Sequence, residues 1–341
     1  MAAKGCPELR IAPPWGAAQQ RSCKRGGTHL TLNELRYIVA VAQERSFGRA
    51  AAKCFVSQPA LSVAIQKLED ELGTPLFERG KTEIGITPVG ERIVEQAQKV
   101  LEEAARIREI AIGGRNQLVG TLRLGIIHTV APYLLPDLIR ELHDVAPQMP
   151  LDIEETLTEN LEAGLRTGRV DAAIVALPFD PPGVVTQFMY EEPFQVVVPQ
   201  GHKWARRKSI APDELASEHT ILLNVGHCFR NQVLDACPEL NQSDAQVTRT
   251  NSLETVRNMV ASGLGVSVLP RDALTPRYHS QLVVPVPFTQ PVPSRRVALA
   301  FRRSFPRPAA IAAIRDSVLR CRAKGRRTSV QSAKDSRATR R

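Results

Sequence analysis

No stretch of the 341-residue chain approaches the roughly 18 uninterrupted apolar residues of a membrane span. The opening segment MAAKGCPELRIAPPWGAAQQ also lacks the apolar core of a secretory signal. Both absences point to a cytoplasmic location and no membrane partner. Cysteine is scarce: Cys6, Cys23, Cys54, Cys228, Cys237 and Cys321 are too few to staple a chain of this length. A reducing compartment would keep them as thiols. Neither CxxC nor HxxxH spacing occurs, which argues against a bound metal. Also missing are GxSxG, a Walker loop and GxGxxG; the run GLGVSVLP around Gly263 and Gly265 lacks the third glycine and precedes a strand. Enzyme chemistry has no motif to stand on, and no cofactor is expected.

What is present is a net charge of +10, and its placement matters more than its size. Residues 302–341 hold thirteen Lys and Arg against Asp316 and Asp335, and residues 1–28 hold five against Glu8. The remainder is therefore net negative. Tails rich in Arg, Ser, Gly and Ala bury too little apolar surface to order themselves, so 1–28 and 323–341 read as disordered. They can add sequence-independent attraction to phosphate, or be plain solvated ends. The length suggests two domains, each able to bury a core.

From Leu32, the residues Leu35, Ile38, Val39 and Ala42 fall at helical spacing. The segment SFGRAAAKCFVSQPALSVAIQKLEDELG follows, with Ala50 to Ala52 small enough for close packing and Ser57 placed as an N-cap before Pro59. Along the next helix Leu61, Ile65, Leu68 and Leu72 make an inward stripe, leaving Gln58, Ser62, Gln66 and Lys67 outward. Arg79 to Thr87 reads as a short wing. A three-helix bundle with no ligand would show the same stripes, but the element order, the SQPALS start and the wing favour a winged helix-turn-helix over 30–87. Its expected DNA-contacting set is Arg49, Ser57, Gln58, Pro59, Ser62, Gln66, Lys67 and Arg79. Seven Lys and Arg balance seven Asp and Glu over 30–90, so affinity must rest on placed contacts and dimerisation rather than bulk charge.

These residues, LTLNELRYIVAVAQERSFGRAAAKCFVSQPALSVAIQKLEDELGTPLFERG and ITPVGE, resemble the LysR-type transcriptional regulators. Next, 88–116 reads as a linker helix whose apolar Ile93, Ala97, Val100, Leu101, Ala104, Ile107 and Ala111 form one stripe suited to a homodimer seam. Gly113 and Gly114 end it as a hinge.

Beyond the hinge, GTLRLGII, LDIEET and VDAAIVAL read as strands alternating with the helices VAPYLLPDLIRELHDVAP and LEAGLRTG, a βαβαβ order that implies a parallel sheet. FQVVVPQ, HTILLN, GVSVLP and RRVALAF add strands. The whole is an α + α/β fold: winged helix-turn-helix, long linker helix and a C-terminal domain. The family resemblance implies that this domain, 119–322, is built like a periplasmic binding protein. Subdomain I would span 119–197 and 292–322, and subdomain II 198–291, with crossings near Val198 and Pro291. Thr129 and Thr158, each just after a strand, lie where ligands of such sheets sit, although a lone threonine there is more often a helix cap.

Cys228 and Cys237 stand nine apart in GHCFRNQVLDAC, with His227 and Arg230 flanking the first. A sensor thiol needs neighbours that favour thiolate and donors for the leaving oxygen. If FRNQVLDAC is helical, the two Cα atoms lie about 13–14 Å apart, whereas a disulfide needs about 4.4–6.8 Å. Joining them would remodel the segment. Two buried apolar fillers would look the same in sequence. Cys54 reads as packing, and Cys6, Cys23 and Cys321 as bystanders.

HTVAPYLLP, GHCFRNQVLDAC and NSLETVRNMVASGLGVSVLP are similar to the OxyR branch of the LysR-type regulators, the peroxide sensors, and the likeness runs from about Leu32 to Arg302. It implies that Cys228 is peroxidatic and Cys237 resolving, and that Thr129, Thr158, His227 and Arg296 support the peroxide. It further implies a homotetramer on inverted-repeat double-stranded promoter DNA, activating or repressing through RNA polymerase, and a glutaredoxin- or thioredoxin-type reductant. Asn231 stands where that branch commonly has aspartate, so it cannot serve as a proton acceptor. Two rival readings remain open: a LysR-type regulator answering a small organic effector in the cleft, and a thiol peroxidase that carries a DNA module.

Overall fold

The computed structural model describes residues 30–79, 84–111, 117–241, 247–278 and 280–338. The expected tail 1–28, the wing tip and the Gly113–Gly114 hinge lie outside them.

Three helices open the chain: α1 (Leu32–Glu44), α2 (Phe47–Lys53) and α3 (Gln58–Leu72). Each begins on a side-chain cap. Thr31 and Glu34 form a reciprocal capping box on α1, while Ser46 and Ser57 accept from the backbone N–H groups of Arg49 and Ala60. Leu35, Ile38, Leu61, Ile65 and Leu68 close the core between them. Strands β1 (Phe77–Arg79) and β2 (Ile84–Ile86) pair antiparallel as the wing.

Helix α4 (Pro88–Ala111) uses part of its apolar stripe at home. Val94 and Ala97 are buried in the core of the helix-turn-helix, with Ile93 and Leu101 packed beside them. Val100 and Ile107 stay exposed, so the seam left for a partner is narrower than the stripe suggests.

The second domain contains β3 (Leu122–Ile127), α5 (Ala131–Val145), β4 (Leu151–Thr156), α6 (Thr158–Thr167), β5 (Ala172–Ala176) and the long β6 (Val184–Pro199). Then come β7 (Thr220–Leu223), α7 (Cys228–Ala236), β8 (Val247–Thr250), α8 (Leu253–Ala261), β9 (Val266–Pro270), β10 (Val283–Pro287), β11 (Ser294–Arg302) and α9 (Pro308–Ala338). Strands β4, β3 and β5 run parallel, as the βαβαβ order requires. Two buried cores result, one around Leu124, Ile174 and Leu299, the other around Val196, Ile221 and Val268.

One strand joins the two cores. β6 pairs with β11 up to Pro193, then with β9 and β10 from Phe194 onward. The crossing therefore falls at Pro193 and Phe194, earlier than near Val198. FQVVVPQ is only the second half of a strand whose first half, VTQFMYEE, alternates too weakly to stand out.

The helix α9 also departs from expectation. Its backbone continues past residue 323 to Ala338, where a disordered tail was anticipated. Ala, Arg, Lys and Gln all favour helix, and Arg320 and Lys324 each reach Glu141 of α5 at 2.6 Å.

The helix-turn-helix module and the second domain touch through polar contacts. Arg302 at the end of β11 is ion-paired with Glu102 of α4, each side chain only 6% exposed, and donates to the carbonyls of Leu165 and Val170. Gln43 of α1 donates to the Thr167 carbonyl at 2.9 Å. Gly168 ends α6 at φ 71, a left-handed conformation that favours glycine, and lies against the flexible end of Gln98 of α4.

Candidate functional site

Three helices begin around one small cavity. α5, α6 and α7 follow β3, β4 and β7 at the same edge of the domain, and no side chain caps any of the three. Their N-termini direct backbone N–H groups and a partial positive charge toward the space between them. The cavity has a volume of about 10 Å³ and is walled by His128, Thr129, Thr156, Leu157, Thr158, His227 and Cys228, among others. That admits roughly one water-sized molecule, far below the roughly 300–1,000 Å³ of an organic ligand site.

Neither threonine caps its helix. Thr129 Oγ1 accepts from Arg295 Nη1 at 2.7 Å, leaving its own hydroxyl proton to donate. Thr158 Oγ1 is buried without a hydrogen-bond partner. An unpartnered hydroxyl in a cavity wall beside a thiol is placed to hydrogen-bond a small polar molecule there.

The arginine in the site is Arg295, not Arg296. Arg296 is exposed and lies over the Phe188 ring at 4.9 Å, on the outer face of β11. Side chains alternate along a strand, so Arg295 shares the inward face with Val297 and Leu299. It is fully buried, stacks over Phe229 at 5.2 Å and interacts electrostatically with the Cys228 sulfur. Glu192 of β6 bonds Arg295 Nε at 2.7 Å.

His227 adjoins Cys228 but supplies no charge near neutral pH. Burial, and the neighbouring His128 next, hold it below the usual histidine range. The two rings lie 5.6 Å apart, and His128 Nδ1 meets Glu155 at 3.0 Å. Sequence reasoning missed His128, Arg295 and Glu192. The alternation of β11 would have found Arg295; nothing local marks the other two.

The two cysteines belong to different cores. Cys228, the first residue of α7, is half-buried and packs against the first core. Cys237, at the other end of α7, is fully buried in the second. Both are free thiols, and α7 between them is regular helix, which at about 1.5 Å per residue holds their Cα atoms about 13–14 Å apart. Burial, reinforced by Glu239 and Asp213, pushes the Cys237 thiol up to about 12. A thiol buried and held protonated in this way is a poor nucleophile. Asn231 projects into solvent. Cys321 packs at the edge of the first core, its thiol pushed up to about 11 by burial.

On the DNA module, Gln58, Pro59, Gln66, Lys67 and Arg49 are exposed, Ser57 is an exposed cap and Ser62 is half-buried. Arg49 leans on Glu44, and Gln66 donates to Asp70 at 3.1 Å. Arg79 ends β1, the strand beside the third helix. All but Arg49 and Arg79 lie on α3 or its cap.

This arrangement, a winged helix-turn-helix tied to a two-core α/β sensor, is matched by two family models. Residues 32–91 match the bacterial regulatory helix-turn-helix protein, lysR family, and residues 115–321 match the LysR substrate binding domain. The chain belongs to the LysR family of bacterial regulators.

Within that family it is of the OxyR type. It is 38% identical over 277 residues to the DNA-binding transcriptional dual regulator OxyR of Escherichia coli K12, covering 81% of this chain and 91% of the relative. The hydrogen peroxide-inducible genes activator of Pectobacterium carotovorum is likewise 38% identical, covering 81% and 92%. Among solved structures, full-length Pseudomonas aeruginosa OxyR with a cysteine-to-aspartate change shares 53% identity at a TM-score of 0.79, covering 85% and 95% of the two chains. A hydrogen-peroxide-bound cysteine-to-serine mutant of Corynebacterium glutamicum OxyR shares 32% at 0.61, covering 89% and 96%.

Proposed function

We propose that this protein is a cytoplasmic transcriptional regulator that senses hydrogen peroxide through Cys228 and Cys237. The observation that carries this reading is the water-sized cavity with the orphaned Thr158 hydroxyl beside Cys228. Peroxide enters and accepts from Thr129 and Thr158. The Cys228 thiolate attacks one oxygen, the O–O bond breaks, and the departing hydroxide takes a proton to leave as water. Cys228 becomes a sulfenic acid. Arg295, with the helix N-termini, stabilises the negative charge that develops.

Resolution needs movement. Cys237 must leave its core and attack the sulfenic sulfur, forming S–S as the S–O bond breaks and a second water departs. That cannot happen with α7 intact, so oxidation unfolds or redirects the segment and alters the packing of sensor domains. A glutaredoxin- or thioredoxin-type dithiol resets it.

Gln58, Ser62 and Gln66 read base edges, while Lys67, Arg49, Ser57, Pro59 and Arg79 lie along the phosphates. Val100 and Ile107 of α4 meet a second copy, two such dimers form a homotetramer on inverted-repeat DNA, and a changed dimer geometry is read by RNA polymerase. The protein is not an enzyme: it reacts once and waits for reduction.

A second reading is favoured by a larger cavity of about 570 Å³, lined by Tyr133, Tyr278, Arg271 and Arg322, which is sized for an organic effector. It includes neither Cys228 nor Cys237. DNA footprinting of reduced and peroxide-treated protein on its own upstream region separates the two. A footprint that shifts with peroxide supports the thiol switch; one that ignores peroxide and answers a metabolite supports the effector.

A further inference from the structure

Glu192 is a carboxylate with no access to solvent, and it has work assigned at both oxygens. Oε2 binds the Arg295 guanidinium at 2.7 Å, and Oε1 accepts from the backbone N–H of Asp272 at 3.1 Å. Arg295 in turn donates to the hydroxyl and the carbonyl of Thr129. Glu192 lies on β6 one residue before the crossing at Pro193 and Phe194, whereas Asp272 belongs to the turn after β9 in the second core's half of the domain. Arg322 of α9 completes the row by pairing with the Asp272 carboxylate.

A buried guanidinium has many rotamers, and only a fixed partner selects one. Thr129 alone cannot, because its hydroxyl and carbonyl engage only Nη1 and Nη2 and leave Nε without an acceptor. We propose that Glu192 is a positioning residue for the peroxide reaction: it holds Arg295 on Thr129, and so sets the reactivity of Cys228. The inference rests on the peroxide-sensing reading above. Because the other oxygen of Glu192 is held by the second half of the domain, any movement of that half during resolution also loosens Arg295.

Burial raises the Glu192 carboxyl above the ordinary carboxylate range, against the opposing pull of Arg295. The ionisable groups that face it are Arg295 from β11, Asp272 from the turn after β9, Arg322 from α9 and Tyr190 from its own strand. Acidification that protonates Glu192 breaks its ion pair with Arg295.

The test measures the rate of Cys228 oxidation in the full-length reduced protein, by rapid mixing with hydrogen peroxide, alkylation and mass spectrometry of the Cys228 peptide, from about pH 5.5 to about pH 8.5. Glu192→Gln should react about tenfold or more slowly at the upper end and lose the acid-side fall in rate expected of the wild type. Thr129→Val/Glu192→Gln should be no slower than Thr129→Val alone, since both remove one chain of contacts. A Glu192→Gln protein that matches the wild type at every pH, or a double variant whose losses multiply, overturns the proposal. Should Glu192→Gln fail to fold, Glu192→Asp decides it: the shortened carboxylate should slow Cys228 oxidation, and a rate equal to the wild type at every pH overturns the proposal. A wild type whose Cys228 ignores peroxide sinks the sensing reading and the inference with it; a reactive wild type with an equally reactive Glu192→Gln sinks the inference alone.

Discussion

Arg295 grips Thr129 twice, with Nη1 on the hydroxyl at 2.7 Å and Nη2 on the carbonyl at 2.9 Å. One cation therefore fixes both the position and the hydrogen-bond polarity of a residue that faces Cys228. Thr129→Val keeps the shape and removes the hydroxyl. We expect peroxide to oxidise Cys228 on the order of 10- to 100-fold more slowly, the loss typical of one hydrogen bond to a charged group. Thr129→Ser should stay near the wild type. Stopped-flow kinetics of the two variants make the comparison, and equal rates for Thr129→Val and wild type would remove the hydroxyl from the reaction.

The neighbouring arginines should separate cleanly. Arg295→Ala leaves Glu192 buried and unpaired, which costs about 3–5 kcal/mol, and it should also abolish fast oxidation. Arg296→Ala loses only a surface contact with Phe188 and should change stability by less than about 0.5 kcal/mol. Urea melts and peroxide kinetics on both proteins check this, with a reversed order of severity contradicting the placement.

That pair also shows where the sequence was readable. The helix-turn-helix could be traced because its apolar stripes and Ser57, the cap that opens SQPALS, announce helices within a few residues. The first three strands of the second domain were visible as local patterns of the same kind, whereas helix after Cys228 was only the condition on which the thiol geometry was argued. The site was harder. Thr129 and Thr158 were findable at strand ends, but whether they cap helices depends on Arg295, which lies 166 residues from Thr129. Glu192 and His128 owe their roles to packing across the sheet, and no periodicity reports that. The helical end of α9 was hidden because a composition that leaves a segment unable to bury a core is still compatible with helix.

Cys237 should be silent toward thiol reagents in the reduced fold. With its thiol pushed up to about 12 by burial, a disulfide-exchange reagent at about pH 8 should label Cys228 first and Cys237 only after peroxide or urea. The pH sign follows. Unfolded cysteine ionises near about 8.5, so between that value and about 12 the folded state holds the proton and the unfolded state sheds it. Stability must fall as pH rises through that window, and a Cys237→Ala variant should lose that portion of the fall. Rapid labelling of Cys237 in the reduced protein would contradict the picture.

The ion pair between Arg302 and Glu102 predicts coupling between the modules. Arg302→Met strands a buried carboxylate on α4 and should destabilise the protein by about 3–5 kcal/mol. Replacing both with Met and Leu should recover much of that loss. Chemical denaturation of the single and double variants gives the coupling directly; additive losses would mean that the contact is incidental.

On DNA, Lys67→Ala should weaken binding to all sequences alike and lower the slope of log affinity against log salt by about 1. Gln58→Ala should instead relax discrimination at one base pair, by about 1–3 kcal/mol. Salt titrations on the operator and on a scrambled duplex separate the two behaviours.

The most direct test of the thiol switch is peptide mapping under non-reducing conditions after one equivalent of hydrogen peroxide. We expect a single cross-linked species joining the peptides of Cys228 and Cys237, absent from the reduced protein and from Cys228→Ser. Peroxide-treated protein in which Cys237 remains a free thiol, while Cys228 is untouched or paired elsewhere, would contradict the account.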